Sequence, residues 1–435
     1  MKIGFVSMPL SGHLNPMAAL ARKLQSRGND VVMIGVPDVE PVAQAANLAF
    51  VPFCEKEYPF GSTAELWTQV AKLHGLDVVK YSLEKFSPGL VAAAMEHLPA
   101  TIAEAGIEAL VLDTVYFFLE LVPISLGIPY AQAWVVLNLD LSSSTPPCLF
   151  GWPHETTPEA LARNAEEVQW AGQCLAPTAE RAAVPYAKKT GLEIDWNDPT
   201  ATNSKLAILS QIPKEFDYPG IPWPPRFHYT GPFQDDQGRQ PVPFPWEQLN
   251  RKPLIYASLG TLVNGLEDVY KTILAAVGSM PDVQLVLSAG KNVNFDDLGP
   301  VPSNTIIVSA APQIELLRRA TLCITHAGLN TAMESLAQGV PMVAIPIGYD
   351  QPGVASRLAY HGAGEVVQIE DLSVERLAEL VQRVRTNPSY REKAQYFQKV
   401  IAETRGLDLA AEVIEEAFAK SQIDGSADDY AEVLV

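Results

Sequence analysis

The chain has 435 residues, 48% hydrophobic and 19% charged, with 50 acidic against 31 basic residues and a formal net charge of -19. That length predicts two domains, each able to bury its own core, and the composition is globular rather than disordered or fibrous. The negative charge, with no Lys/Arg-rich run to offset it, argues against nucleic-acid and membrane-surface roles.

Cys54, Cys148, Cys174 and Cys323 are scattered without a Cys-x-x-Cys pair, which argues against a zinc site or a disulfide framework and fits a reducing cytoplasm. The opening MKIGFVSMPLSGHLNPM reads as strand, loop and helix, not as a signal peptide. The apolar stretch 110–141 is interrupted at Asp113, Glu120, Pro123, Gly127 and Pro129, so no transmembrane span is expected.

Taken in chain order, Lys2 to Met8 is an apolar run closed by Pro9, Ser11 and Gly12. Met17, Leu20, Ala21 and Leu24 then recur at helical spacing as far as Gly28, and Val31 to Val36 reads as a second strand. The rhythm returns at Ala109 to Leu112 and Leu206 to Leu209, and such fully apolar strands predict a parallel sheet covered on both faces. From Gly231 to Pro253 the sequence GPFQDDQGRQPVPFPWEQLNRKP sustains neither periodicity and reads as a linker.

Five further strands follow, LIYASLG, VQLVLSAG, TIIVS, LCITHAG and MVAIPIG, with helical segments such as Leu266 to Val277 and Gln313 to Arg319 between them, predicting a second parallel sheet. Ser373 to Arg385 and Asp408 to Ala419 have the spacing of amphipathic helices, and SQIDGSADDYAEVLV reads as a frayed acidic tail. No short repeat is present, which excludes a solenoid or propeller.

In an open α/β sheet, ligands bind beyond the carboxyl ends of the strands. His13, Asp113, Ser258 to Thr261, His326, and Asp350 with Gln351 all follow predicted strands. Any one of them alone reads as a loop or capping residue; five at one topological address point to a ligand site. Gly328 before a helix start would leave N–H groups and a positive dipole end suited to phosphate, with His326 beside them. The alternative reading of Thr331-x-x-Glu334 is a capping box.

Residues 310–351 resemble the donor-binding signature of the UDP-dependent glycosyltransferases, an inverting group acting on small molecules. Ala311-Pro-Gln313, His326-x-Gly328-x-Asn330-Thr331, Glu334, Gly339-Val-Pro341 and Asp350-Gln351 fall at the spacing of that motif. Gly12-His13-Leu-Asn15-Pro16 resembles the family's catalytic loop, and Asp113 its partner acid. The resemblance implies the GT-B fold, two facing Rossmann-like α/β domains with parallel sheets and a deep cleft. Residues 1–235 would bind acceptor, 236–252 link the domains, and 253–405 bind the UDP-sugar. A helix at 406–420 would pack back on the first domain, ahead of an acidic tail at 421–435.

The resemblance also implies roles. His13 would be the general base, a task its pKa suits, with Asp113 fixing its tautomer. Ser258, Gly260, Thr261, His326, Gly328, Asn330 and Thr331 would hold the diphosphate, with Ala311 and Gln313 also in the donor site. Glu334 would take the ribose hydroxyls, favouring UDP over dTDP, and Asp350 and Gln351 the hydroxyls of a neutral hexose such as glucose. Ala310 and Leu329 stand where plant members carry tryptophan, and an alanine at 310 offers uracil no stacking partner.

No Asp-x-Asp pair occurs, so the enzyme is expected to need no metal and no cofactor, the UDP-sugar being a substrate. Its expected partners are that donor and a small acceptor only, with no nucleic acid, as a monomer or weak dimer in the cytoplasm. Aromatic residues of the first half, among them Phe53, Tyr58, Trp67 and Trp134, are candidates for core or for an apolar acceptor pocket, and none is assigned. His74, His97, His154, His228 and His361 fall at no ligand spacing, so no metal site is expected. The stretch DQPGVASRL from Asp350 to Leu358 resembles bacterial members including zeaxanthin glucosyltransferases, which points to a carotenoid or other lipophilic alcohol.

Three rivals stand beside this. A nucleotide-sugar epimerase shares the fold. A dehydrogenase is disfavoured because SMPLSGH after the first strand lacks Gly-x-Gly-x-x-Gly. A non-catalytic binding protein would not need both His13 and Asp113.

Overall fold

A computed structural model of the chain describes residues 1–235, 241–291 and 293–423. Thirteen strands among them form two sheets. The first holds β1 (Lys2–Val6), β2 (Asp30–Gly35), β3 (Ala49–Pro52), β4 (Ala109–Asp113), β5 (Tyr130–Trp134), β6 (Ala207–Ser210) and β7 (Phe227–Tyr229), in the spatial order β3-β2-β1-β4-β5-β6-β7. The second holds β8 (Leu254–Ser258), β9 (Gln284–Ser288), β10 (Thr305–Val308), β11 (Ala320–Thr325), β12 (Met342–Ala344) and β13 (Gly364–Val366), ordered β10-β9-β8-β11-β12-β13.

Every pairing is parallel, as fully buried runs such as ALVLD and LIYAS require, since a parallel sheet is covered by helices on both faces. Rossmann-like sheets facing one another are the GT-B architecture. Strands β3, β5, β7 and β13 were not expected from the sequence. They are three to five residues long, too short to carry a period, and β5 (YAQAW) interrupts its apolar run with Gln132. Each of the other expected strands begins within two residues of its reading, and so do the helices expected at 266–277, 313–319 and 373–385, whereas the long helices Ser87–Ala105, Pro158–Cys174 and Pro388–Glu403 were not singled out.

In each sheet the strand order reverses once, between β1 and β4 and between β8 and β11. At such a reversal the adjoining loops diverge to opposite faces and leave a crevice. His13 and Asp113 follow β1 and end β4, while Ser258 to Gly260 and His326 end or follow β8 and β11. Both candidate groups therefore sit at the switch point of their own sheet.

The helices Ser62–Val70 and Gly75–Tyr81, for which the sequence gives no clear signal, leave the first half and dock on the second. Val70, Val78 and Val79 are buried in the core beneath the second sheet. Backbone bonds fasten them there, from the Gly75 N–H to the Ile347 carbonyl (2.6 Å) and from the Gly265 N–H to that of Ala71 (2.9 Å). On the other side of the cleft Asp217 and Arg357 form a buried pair joining the halves, the guanidinium donating twice to Asp217 Oδ1 (2.9 and 2.7 Å) and lying 4.2 Å over the Tyr218 ring.

The chain passes between the halves twice. After the second sheet it returns through Thr404 to Gly406 to the helix Leu407–Ile423, whose Ala410, Ala411, Ile414 and Phe418 join the core of the first sheet. Lys23–Asp408 and Arg27–Glu415 ion pairs hold its exposed face to the helix Ser11–Ser26. This helix runs through Ile423, so the first three residues of the expected tail belong to it, and 424–435 lie outside the described residues. The two passages touch. A Cβ on Gly231 would lie 2.3 Å from Thr404 Oγ1, and one on Gly406 2.8 Å from the Pro232 carbonyl oxygen. The expected linker of 236–252 includes 236–240, also outside the described residues.

Candidate active site

His13 is the third residue of the helix Ser11–Ser26, so its side chain issues from the first turn into the crevice above β1. Its Nδ1 lies 2.9 Å from Asp113 Oδ2. That carboxylate is fully buried and held on several sides. Oδ2 also accepts from Ser7 Oγ (2.8 Å) and the Met8 N–H (3.3 Å), and Oδ1 from the Val115 N–H (3.3 Å). With Nδ1–H donating to Asp113, Nε2 is left as the acceptor nitrogen. Burial lowers the pKa of His13, but the charge and hydrogen bond of Asp113, with a smaller pull from Asp350, outweigh it and hold the pKa above 6.5.

The Asp350 influence crosses the cleft, because Asp350 belongs to the second half. Its Oδ2 accepts from the Leu137 N–H at 2.8 Å, and burial raises its own pKa despite that bond. Neighbouring Gln351 spends its carbonyl oxygen on the N–H groups of Ile347 (2.9 Å) and Gly348 (3.1 Å), shaping the loop that presents Asp350.

His326 lies between two glycines. A Cβ on Gly260 would sit 2.6 Å from its Nε2 and one on Gly328 2.5 Å from it, so both positions must lack a side chain for the imidazole to fit. Gly260 also has φ +76°, in the left-handed region. Burial pushes the pKa of His326 down to about 4, against a small raising influence from the Ser258 backbone. The ring is therefore neutral at physiological pH, so what it can offer a ligand is a ring N–H rather than a positive charge.

The adjacent helix Leu329–Ala337 has Gly328 as its N-cap. Its first N–H groups, at 329 to 331, lie outside the helical ladder and add the positive end of the dipole. Thr331 is thus the third helical residue and not a cap, which removes the capping-box alternative.

Glu334, buried one turn on, accepts from Gln313 Nε2 at 2.6 Å. Gln313 also reaches Thr331 Oγ1 (3.3 Å) and accepts from the Tyr256 hydroxyl (3.1 Å). Glu334 borders an open cavity of about 1120 Å³ between the halves, whose walls include Arg22, Gln234 and Asp235. Ala311 is half-buried beside Gln313, whereas Thr261 and Ala310 are exposed at the rim.

Asn330 spends its side chain across the cleft, donating to the Gly12 carbonyl (2.6 Å) and accepting from Gln211 Nε2 (3.0 Å). The residue beside His13 and the first turn beyond His326 are thereby in contact, so both groups face one crevice. Ser7, Gln211 and the Leu137 N–H, none of them singled out in the sequence, hold Asp113, Asn330 and Asp350 respectively. Ser7 and Gln211 each directly follow a strand, β1 and β6, which is the one signal the sequence could have offered for them.

The family model for UDP-glucoronosyl and UDP-glucosyl transferases matches residues 198–415, half of the chain. The chain belongs to that family. This transferase is 25% identical to the zeaxanthin glucosyltransferase of Pantoea ananas over 99% of both chains. It is 26% identical to the NDP-glycosyltransferase YjiC of Bacillus subtilis, over 97% of this chain and 98% of that one. Among solved structures, the kitacinnamycin glycotransferase superposes with a TM-score of 0.74 at 23% identity, covering 96% and 99% of the two chains. The protein is a glycosyltransferase, with a nucleotide-sugar donor and an acceptor as substrates. Among the described residues no helix is long and apolar enough to cross a membrane.

Proposed function

We propose that this enzyme transfers glucose from UDP-glucose, with inversion and without a metal, to the hydroxyl of a small lipophilic or aromatic acceptor. The observation that carries the reading is the His13–Asp113 pair at 2.9 Å facing Asp350 across the cleft. His13 Nε2 takes the acceptor hydroxyl proton while Nδ1–H stays on Asp113, whose charge favours the imidazolium that forms. The acceptor oxygen bonds to the anomeric carbon as the bond from that carbon to the diphosphate oxygen breaks on the opposite face. UDP leaves with the electron pair.

Its charge meets the N–H groups of residues 329 to 331, neutral His326 and the Ser258–Gly260–Thr261 turn, donors fixed before reaction. Ala311 lies at the nucleotide end. Glu334, oriented by Gln313, accepts from the ribose hydroxyls, and Asp350 and the Gln351 amide from and to those of the sugar. A carotenoid alcohol is a second reading of the acceptor, favoured by the likeness to zeaxanthin glucosyltransferase along nearly the full chain.

Incubation with UDP-glucose and a panel of phenols, flavonoids and carotenoid alcohols, read by mass, is expected to yield a product one hexose heavier. His13→Ala should abolish that product and leave UDP binding within about threefold, because base and nucleotide groups lie on different sheets. Transfer by His13→Ala at a comparable rate would remove the mechanism.

A further inference from the structure

The loop after β3 and the helix Ser87–Ala105 bring together three side chains that the transfer reaction does not use. His97 Nε2 lies 3.1 Å from Glu57 Oε1, and the Cys54 sulfur completes a set of three donor atoms all within 4.8 Å of one another. A tight turn, closed by the Tyr58 N–H on the Cys54 carbonyl at 2.8 Å with Cys54 at φ +56°, puts residues 54 and 57 on the same side. Cys54 is buried beneath, while the side chains of Glu57 and His97 are 44% and 41% exposed at the rim.

We propose that Cys54, Glu57 and His97 are a binding site for a zinc-like divalent cation, with one coordination position open to water. Thiolate, imidazole and carboxylate are the donor types such an ion takes. Ligands on a tetrahedral ion stand about 3.3 Å apart for nitrogen and oxygen, and about 3.6 Å for sulfur and nitrogen. The His97–Glu57 spacing is close to that value, and the sulfur, within 4.8 Å of both partners, has at most about 1.2 Å to close. An exposed His–Glu pair alone would be an ordinary surface contact; the sulfur beside it adds the soft ligand that selects zinc over magnesium or calcium.

Burial, with the Glu57 charge, pushes the Cys54 thiol up to about 12, so the apo site holds S–H. Binding forms the metal–sulfur bond and releases that proton to solvent. The ion would clamp the loop bearing Phe53, Tyr58 and Phe60 to the helix.

The test uses the full chain stripped of metal by chelator. Zn²⁺ is titrated against a chromophoric competitor, and Co²⁺ is added to look for the near-ultraviolet thiolate-to-cobalt band. The proposal expects one ion per chain, the cobalt band, and a loss of affinity of about 100-fold or more in both Cys54→Ser and His97→Ala, with Cys54→Ser erasing the band. Should Cys54→Ser fail to fold, His97→Ala at its exposed position decides by affinity. Absence of the band, or binding unchanged in the variants, overturns the site.

Discussion

Replacing Asp113 by asparagine tests the proposed base most sharply. Oδ2 accepts simultaneously from His13, Ser7 and Met8, and Oδ1 from Val115. An amide offers one acceptor atom, so whichever way it turns its NH2 confronts a donor, and the imidazole loses its orienting charge. The two largest influences that raise the pKa of His13 disappear and burial, which lowers it, remains. The base acts when neutral, so in the natural enzyme the rate rises with pH through a pKa above 6.5, and in Asp113→Asn this limb moves below 6.5.

Positioned general-base catalysis is worth about 10²–10⁴-fold, or about 3–5 kcal/mol of barrier. The rate of UDP release at saturating acceptor should fall by that factor even on the alkaline plateau above the acid limb of each profile, where the imidazole is neutral. Calorimetric UDP affinity should stay within about threefold, because the nucleotide groups hang from the other sheet. A variant rate within about threefold of the natural enzyme, or an acid limb that does not move, would refute the assignment.

Three further outcomes follow from the geometry. Gly260→Ala places a methyl at φ +76° and 2.6 Å from His326 Nε2, so nucleotide affinity should drop about tenfold or more and stability by about 1–2 kcal/mol, read by calorimetry and thermal melting. Asp217→Ala leaves Arg357 buried and unpaired between the halves and should cost about 3–5 kcal/mol in urea unfolding, while Asp217→Leu with Arg357→Met should recover most of it. The pKa of His326 is about 4 when folded and 6.5 when not, so the stability this ring contributes is present above about pH 6.5 and is lost as pH falls toward 4. It amounts to about 3 kcal/mol. His326→Gln should show a shallower acid limb in unfolding experiments from about pH 7 to 4.

The fold class and the positions of Asp113 and His326 were legible because each stands where a fully apolar run stops, and parallel strands place those stops along one edge, whereas His13 and Glu334, both inside helices, were legible through the motifs that contain them. The groups that hold them were not. Ser7 meets Asp113 across 106 residues of chain, Gln211 meets Asn330 across 119, and Leu137 meets Asp350 across 213. No local periodicity records such pairings. The helices Ser62–Val70 and Gly75–Tyr81 escaped for a related reason: their valines are buried by the second half, so their apolar face answers to a surface encoded nearly two hundred residues later. The cation-site candidates were passed over because a loop and a helix some forty residues apart share no ligand spacing.

The two chain passages between the halves lie side by side, with Gly231 against Thr404 and Gly406 against Pro232. Both threads cross at one place, so a side chain added at either glycine meets the other thread rather than solvent. Bulk introduced at either glycine would therefore strain the joint between the halves without touching a residue assigned to sugar or nucleotide.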